Sequence, residues 1–147
     1  MTDEAIKTIK KKKKRRTGIN VKARKKRAIA RAVVFSGTGV VRINKRRLET
    51  LQPLLLRRFV NEPVQLAGDA IKVFNIDIQV HGGGFMGQAV AARTAIAKAL
   101  VRATRDKNLT ERFLKYDRLL LVDDPRQKEA KKPLGTGARK SKQKSKR

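Results

Sequence analysis

The 147-residue sequence has no cysteine, no tryptophan and a single histidine. Without cysteine there is no disulfide and no thiolate metal site, and one histidine does not supply the several ligands that a zinc ion needs. Aromatic residues are scarce too, with five phenylalanines and one tyrosine. This scarcity argues against the stacking platforms that read single-stranded bases, and it favours recognition through phosphates and shape.

Long apolar runs are also missing. No stretch approaches the ~18 residues of a membrane-spanning helix, and the basic ends lack the Trp, Phe and Leu of an interfacial helix. The N-terminus has charge without the apolar segment of a secretion signal, so we expect an intracellular protein. Acids are few, 12 against 39 Lys and Arg, and the net charge is +27. An excess of this size repels itself and indicates a polyanionic partner, for which nucleic acid is favoured.

The positive charge is concentrated at the two ends. Residues 1–27 hold thirteen Lys and Arg against two acids, and residues 125–147 hold ten against one. Because like-charge runs cannot build a core, we predict three parts: a basic arm over 1–27, a compact domain over 28–122 and an extended basic tail over 123–147. We expect the arm to be disordered in the free protein and to order along phosphates.

A strand–turn–helix unit organises the predicted compact domain. Alternating apolar residues over 74–80 predict a half-buried strand, with either a bulge or the start of the strand near Val73. An alanine-rich stretch over 87–104, without further glycine or proline, predicts a long helix that can lie close to a sheet. The chain turns between them at four structural glycines, Gly82, Gly83, Gly84 and Gly87.

Shorter elements precede this unit. Residues 28–35 and 40–44 predict two strands joined as a hairpin through 36–39. Asn44-Lys45 predicts a second turn that presents Arg46 and Arg47 at its tip. A helix is predicted over 53–61, and Pro63 is expected to interrupt it. After the long helix, Asn108 is the predicted N-cap of a short helix, and 119–122 is interpreted as a strand or an extended segment.

Few residues suggest catalysis. Gly82, Gly84 and Gly87 fit the G-x-G-x-x-G pattern between a strand and a helix, but the second strand of a dinucleotide fold is missing, so this enzyme alternative is disfavoured. His81 is interpreted as an exposed turn residue. Asp123 and Asp124 are interpreted as carboxylates partnered by arginines such as Arg118 or Arg126. Arg93, on the apolar side of the helix, is expected to pair with Asp77 or Asp117 or to mark a contact with RNA.

The glycine turn and the helix after it resemble the signature of the ninth small-subunit ribosomal protein family. The match runs without a gap over 82–89 and continues at Ala91, Arg93 and 96–100. Further matches are 28–32, 115–118, 121–122, 124–126, Gly135, 137–139, 143–145 and Arg147. The resemblance covers about residues 23–147 and has the features of the archaeal branch, close to the eukaryotic one.

The resemblance implies an α+β two-layer sandwich with long basic tails. Its mixed four-stranded sheet would carry helices on one face and contain a left-handed βαβ crossover, as in the second domain of the fifth small-subunit protein. The chain would be a structural, non-enzymatic protein of the cytoplasmic ribosome, bound to small-subunit rRNA in the head beside other head proteins, without metal or cofactor. Its tail would thread through rRNA, and Ser145, Lys146 and Arg147 would touch peptidyl-site tRNA.

Basic residues throughout the chain are the expected rRNA contacts. They are Lys14, Arg15, Arg16, Arg24, Lys25, Lys26, Arg27, Arg31, Arg46, Arg47, Arg118, Arg126, Lys131, Lys132, Arg139, Lys140, Lys142 and Lys144. The chain departs from the family at Ala23 and Arg27, where glycine and threonine are usual, and at Lys146, where archaeal members tend to have tyrosine. An autonomous DNA-compacting protein or RNA chaperone remains an alternative that the basic ends alone would permit.

Overall fold

A computed structural model describes residues 18–133 and 135–140. The strands are β1 (Ile19–Lys25), β2 (Ala28–Ser36), β3 (Val41–Ile43), β4 (Arg46–Arg47) and β5 (Phe74–His81), and the helices are α1 (Leu54–Ala67), α2 (Phe85–Thr104) and α3 (Lys107–Tyr116). Short 3-10 turns lie at Leu48–Thr50, Gly68–Val73 and Arg118–Leu120. The predicted α+β class is confirmed. No helix in this part of the chain is long and apolar enough to cross a bilayer.

The five strands form one mixed sheet in the order β1-β2-β5-β3-β4. Only β3 and β5 run parallel, and the other neighbours are antiparallel. The predicted count of four strands is therefore wrong. One missed strand is β1, which lies within the stretch interpreted as a disordered arm. Its buried side chains, Val21 and Ala23, alternate with charged ones that made the segment look like part of the arm.

The predicted hairpin between residues 28–35 and 40–44 does not form, because β5 lies between the two strands. β2 instead pairs with β1 through the turn at Lys26 and with β5 over residues 29–36. The second predicted turn is confirmed: Asn44 and Lys45 have φ of 48° and 68°, and they join β3 to β4. Positive φ at both central residues is the geometry of a two-residue hairpin loop.

Helix α2 forms the centre of the core. It packs on β1, β2 and β5 on one side and on α1 on the other. Ala91, Ala95 and Ala99 are fully buried, and their small side chains let the helix lie close to the sheet, as predicted. The helix is buried almost all round rather than on one face, and it begins at Phe85, two residues earlier than expected.

Three local predictions are corrected. Helix α1 continues through Pro63, which is buried with Leu56 and Val60, so packing against α2 outweighs the lost backbone hydrogen bond. The N-cap of α3 is Asp106, whose carboxylate accepts from the backbone N–H of Asn108 at 2.9 Å. Residues 118–120 form a 3-10 turn rather than a strand.

Candidate nucleic-acid interface

The sheet has one face covered by α2 and one face without a helix. In β2 the residues Ala28, Ala30, Ala32 and Val34 are buried under α2, and the residues between them point the other way. We call the helix-free side the open face. Its cations are Lys22 and Arg24 of β1, Arg31 of β2, Arg42 of β3 and Arg47 of β4. The only acid in the five strands is Asp77, whose carboxylate lies 3.6 Å from the Arg42 guanidinium.

The adjacent arginines of β4 point to opposite sides. Arg47 lies opposite Arg42 on the open face, whereas Arg46 lies opposite the buried Ile43 on the helix side. There Arg46 borders a groove together with Phe85 and Gln88. The sequence predicted that both arginines lie at one basic tip, but they contribute to two different surfaces.

The β1–β2 turn adds cations beside the glycine-rich turn. Lys26 and Arg27 are exposed, and a Cβ at Gly82 would lie 2.5 Å from the Arg27 carbonyl oxygen. Gly82 and Gly83 also have φ of 76° and 63°, so glycine is needed at both positions. Gly84 has open space around its Cβ position, and at Gly87 the nearest atom is an ordinary 3.5 Å away, so sterics do not demand glycine there.

The C-terminal tail begins at a carboxylate held by two cations. The Asp124 side chain is 4% exposed and pairs with Lys25 Nζ and with the Arg126 guanidinium, the latter at 2.7 Å. Lys25 and Asp124 also form a parallel β-bridge, so the tail begins as a short addition to the free edge of β1. Arg126 and Lys25 hold the pKa of the Asp124 carboxyl well below its usual range.

The preceding carboxylate fastens the same segment to two other elements. Asp123 Oδ1 accepts a hydrogen bond from the Arg24 backbone N–H at 3.2 Å and from Lys98 Nζ of α2 at 2.7 Å. We call Asp123 and Asp124 with these partners the tail anchor. The expected pairing of Asp124 with Arg126 is confirmed, and Lys25 and Lys98 are partners that the sequence did not suggest.

Replacing both carboxylates, as D123N/D124N, is expected to free the start of the tail. The amide cannot form the ion pairs, so trypsin should cut after Arg126 at least several-fold faster, with the fold intact by circular dichroism. The matched control is E129Q, which removes an exposed pair with Arg139 within the tail. Equal cutting rates for wild type and D123N/D124N would contradict the anchor.

The ion pairs of Asp124 should also resist acid. Because the folded-state pKa of Asp124 is lowered, its stabilising contribution is present above the unfolded pKa and is lost as pH falls through the folded value. At pH 4 an ordinary aspartate is about half protonated, whereas the pairs of Asp124 with Lys25 and Arg126 are expected to persist.

The remaining predicted contacts lie in different parts of the chain. Arg118, Lys131, Lys132 and Lys140 are exposed, and Arg139 pairs with Glu129 at 2.6 Å. Lys14, Arg15, Arg16, Lys142, Lys144, Ser145, Lys146 and Arg147 lie outside the described residues. Most of the predicted residues that the structure describes therefore lie in three groups: the open face, the β1–β2 turn, and the tail that leaves the anchor. Lys25 in the anchor, Arg46 on the helix side and Arg118 in its 3-10 turn lie outside these groups.

Arg93 is a structural residue rather than a surface contact. It is 7% exposed, and its guanidinium lies 2.8 Å from Asp117 and 2.6 Å from Glu62. The guanidinium carbon also lies 4.6 Å from the centre of the Phe59 ring. The expected pairing with Asp117 is confirmed, while Asp77 pairs with Arg42 instead.

The geometry offers little for catalysis. Helix α2 is followed by α3, so within the described residues the glycine turn lacks the second parallel strand of a dinucleotide fold. Over the same residues no three His, Cys, Asp or Glu side chains come together as metal ligands. His81, at the exposed end of β5, belongs to no such group in this part of the chain.

Comparison with known proteins gives one consistent result. Residues 23–147 match the family model described as ribosomal protein S9/S16. The chain is also 48% identical over 127 residues to the small ribosomal subunit protein uS9 of Methanothrix thermoacetophila. That alignment covers 86% of this chain and 96% of its relative.

Proposed function

We propose a function from the premise that the chain belongs to the ribosomal protein S9/S16 family. Membership makes it a structural constituent of the small ribosomal subunit and not an enzyme. It is part of a ribonucleoprotein that acts in translation in the cytoplasm, with ribosomal RNA and ribosomal proteins as partners. The archaeal relative agrees with the archaeal-type features of the sequence.

Within that role, the chain binds small-subunit rRNA of the head, next to other head proteins, through its cationic groups. The observation that carries this proposal is the placement of exposed cations on one open sheet face and on a tail fastened at its start. The proposed contacts are the basic residues named from the sequence, most of which lie in the arm, the open face, the β1–β2 turn and the tail. They act by displacing counterions and neutralising closely packed phosphates.

The end of the tail reaches peptidyl-site tRNA in this proposal. Counting from Arg126, the remaining 21 residues would span about 70 Å if fully extended, at 3.3–3.6 Å per residue. The tail anchor supports this role because it fixes the point from which that length is measured. Lys146 and Arg147 then supply two positive charges, with Ser145, for the anticodon stem-loop region of the tRNA.

Deleting residues 145–147 tests the tRNA contact. We expect subunits to assemble almost normally, while peptidyl-site tRNA dissociates on the order of tenfold faster because two phosphate contacts are lost. The control K140Q/K142Q removes the same two charges from inside the tail and should leave tRNA release much less affected. Failure of the deleted protein to enter subunits would contradict this division of roles.

One detail of the fold belongs to the same proposal. The parallel neighbours β3 and β5 are joined through β4 and α1, so the chain makes a single crossover between them. We propose that this crossover is left-handed, as the family fold implies. An experimental structure of the domain with right-handed connectivity would overturn it.

A further inference from the structure

The open face places like charges directly opposite one another. Lys22 of β1 pairs in register with Arg31 of β2, and Arg42 of β3 pairs in register with Arg47 of β4. Like charges at such cross-strand positions destabilise a sheet. Asp77 is the single acid in the strands, and at 3.6 Å it offsets only the Arg42 charge. The free protein therefore bears an electrostatic cost on this face.

Among the described residues, the buried and half-buried cations have carboxylate partners, whereas most of the exposed cations have none. On the helix side Arg93 and Lys98 have carboxylate partners, and at the edge Lys25 has one as well. On the open face, Lys22 and Arg31 have no ion pair within the described residues, although both are exposed. Cations that are pre-positioned on strands but left without partners suit an external polyanion.

We propose that the open face binds a helical segment of rRNA across its minor groove, an inference that rests on the proposed function. Four strand spacings of 4.7–4.9 Å separate β1 from β4, about 19 Å in all. Cations lie towards both edges of this width, as two phosphate backbones require. Gln79 is exposed on the central strand β5 between them, and Asn20 is exposed on the edge strand β1; both can bond ribose hydroxyls in the wide, shallow minor groove of A-form RNA.

A helix suits this surface better than a single strand. Half-buried Phe35 is the only Phe, Tyr or Trp among the outward residues of the five strands, and exposed His81 at the end of β5 adds one imidazole ring. Stacking of successive unpaired bases needs several such rings. The open face is also folded before binding, so its contacts do not require the loss of conformational entropy that ordering an extended tail requires.

The test compares two full-length variants that lose the same charge from different sides. K22Q/R31Q removes a cation pair from the open face, and R58Q/R112Q removes two exposed cations from α1 and α3. Binding is measured by fluorescence anisotropy with a 16-base-pair RNA duplex and with one of its strands alone, over a range of salt concentrations. Circular dichroism melts give the thermal midpoint of each variant.

For K22Q/R31Q we expect duplex affinity to fall at least tenfold, and the log–log salt slope to become shallower by about two. Its thermal midpoint should be unchanged or a few degrees higher, because a repulsive pair has been removed. The control should lose less than threefold. Weaker binding to RNA without a loss of thermal stability is the result expected when the two cations serve RNA binding and not the fold.

Three results would overturn the inference. If the two variants lost the same affinity for the duplex, the position of the cations on the domain would not matter. If K22Q/R31Q lost the same affinity for the duplex and for the single strand, the helical shape of the RNA would not matter. A lower thermal midpoint for K22Q/R31Q would mean that the pair serves the fold. If the wild-type protein bound no small-subunit rRNA fragment, the proposed function itself would fail. If K22Q/R31Q bound rRNA as tightly as the wild type, only the inference about the open face would fail.

Discussion

Replacing Arg93 with methionine is expected to lower the free energy of unfolding by about 3 kcal/mol. Removing one partner of a buried ion pair commonly costs 3–5 kcal/mol, and the partners here retain some solvent contact, so we take the lower value. The side chains of Glu62 and Asp117 are 26% and 29% exposed, against 9% for Arg93. The guanidinium joins α1, α2 and the cap of the following 3-10 turn, so the loss affects the whole helical layer.

Urea denaturation followed by circular dichroism measures this effect. R58M, on the exposed part of α1, is the control and should change the free energy of unfolding by less than about 0.5 kcal/mol. The triple variant R93M/E62Q/D117N should regain at least about 1 kcal/mol relative to R93M, because it no longer holds uncompensated carboxylates. If R93M had the same urea midpoint of unfolding as the wild type, the pairing of Arg93 with Glu62 and Asp117 would not stabilise the fold.

Truncating the chain after Arg126 is expected to weaken rRNA binding by a factor on the order of 10³ at 0.1 M salt. The removed segment carries nine Lys and Arg and one acid. A protein that contacts about ten phosphates should show a log–log salt slope of about −7 to −9, and we expect the truncation to reduce that slope by about half. Arg126 and Asp124 are kept, so the anchor and the compact domain remain.

Filter binding to a small-subunit rRNA fragment over 50–300 mM salt would give both slopes. The matched control keeps the tail length and replaces its nine Lys and Arg with Gln, which separates charge from chain length. We expect this control to behave like the truncation. A neutral tail that preserved the wild-type slope would show that the tail's charges do not reach phosphates.

The sequence predicted best those elements whose signals are local. β5 alternates with period two, and α2 is an alanine-rich run without proline, so both were recognised with errors of one or two residues. The glycine turn followed from the need for positive φ, which Gly82 and Gly83 have. Charge alone indicated a polyanionic partner, and family membership agrees with this.

Elements that depend on long-range pairing were predicted less well. β1 was missed because three of its seven residues are charged, and only pairing with β2 makes it a strand. The false hairpin arose because two nearby strands usually pair, whereas here β5, which begins only at Phe74, lies between them. Pro63 was expected to break α1, but burial against α2 overrides its local preference.

The candidate site shows the same limit. The basic residues were recognisable one by one, but their grouping depends on sheet register, which no local pattern supplies. Arg46 and Arg47 are adjacent in sequence and face opposite sides. Glu62 was not foreseen as a partner of Arg93, because its distance from Arg93 depends on how α1 packs against α2.

Sedimentation of the tagged full-length protein from a cell lysate tests the central claim most directly. The gradient is run with magnesium present and again after magnesium is chelated. The account predicts that the protein travels with the small subunit and whole ribosomes, and that it leaves these fractions only as the subunits unfold. A protein that stays at the top of the gradient, or that follows DNA, would contradict its role as a structural constituent of the ribosome.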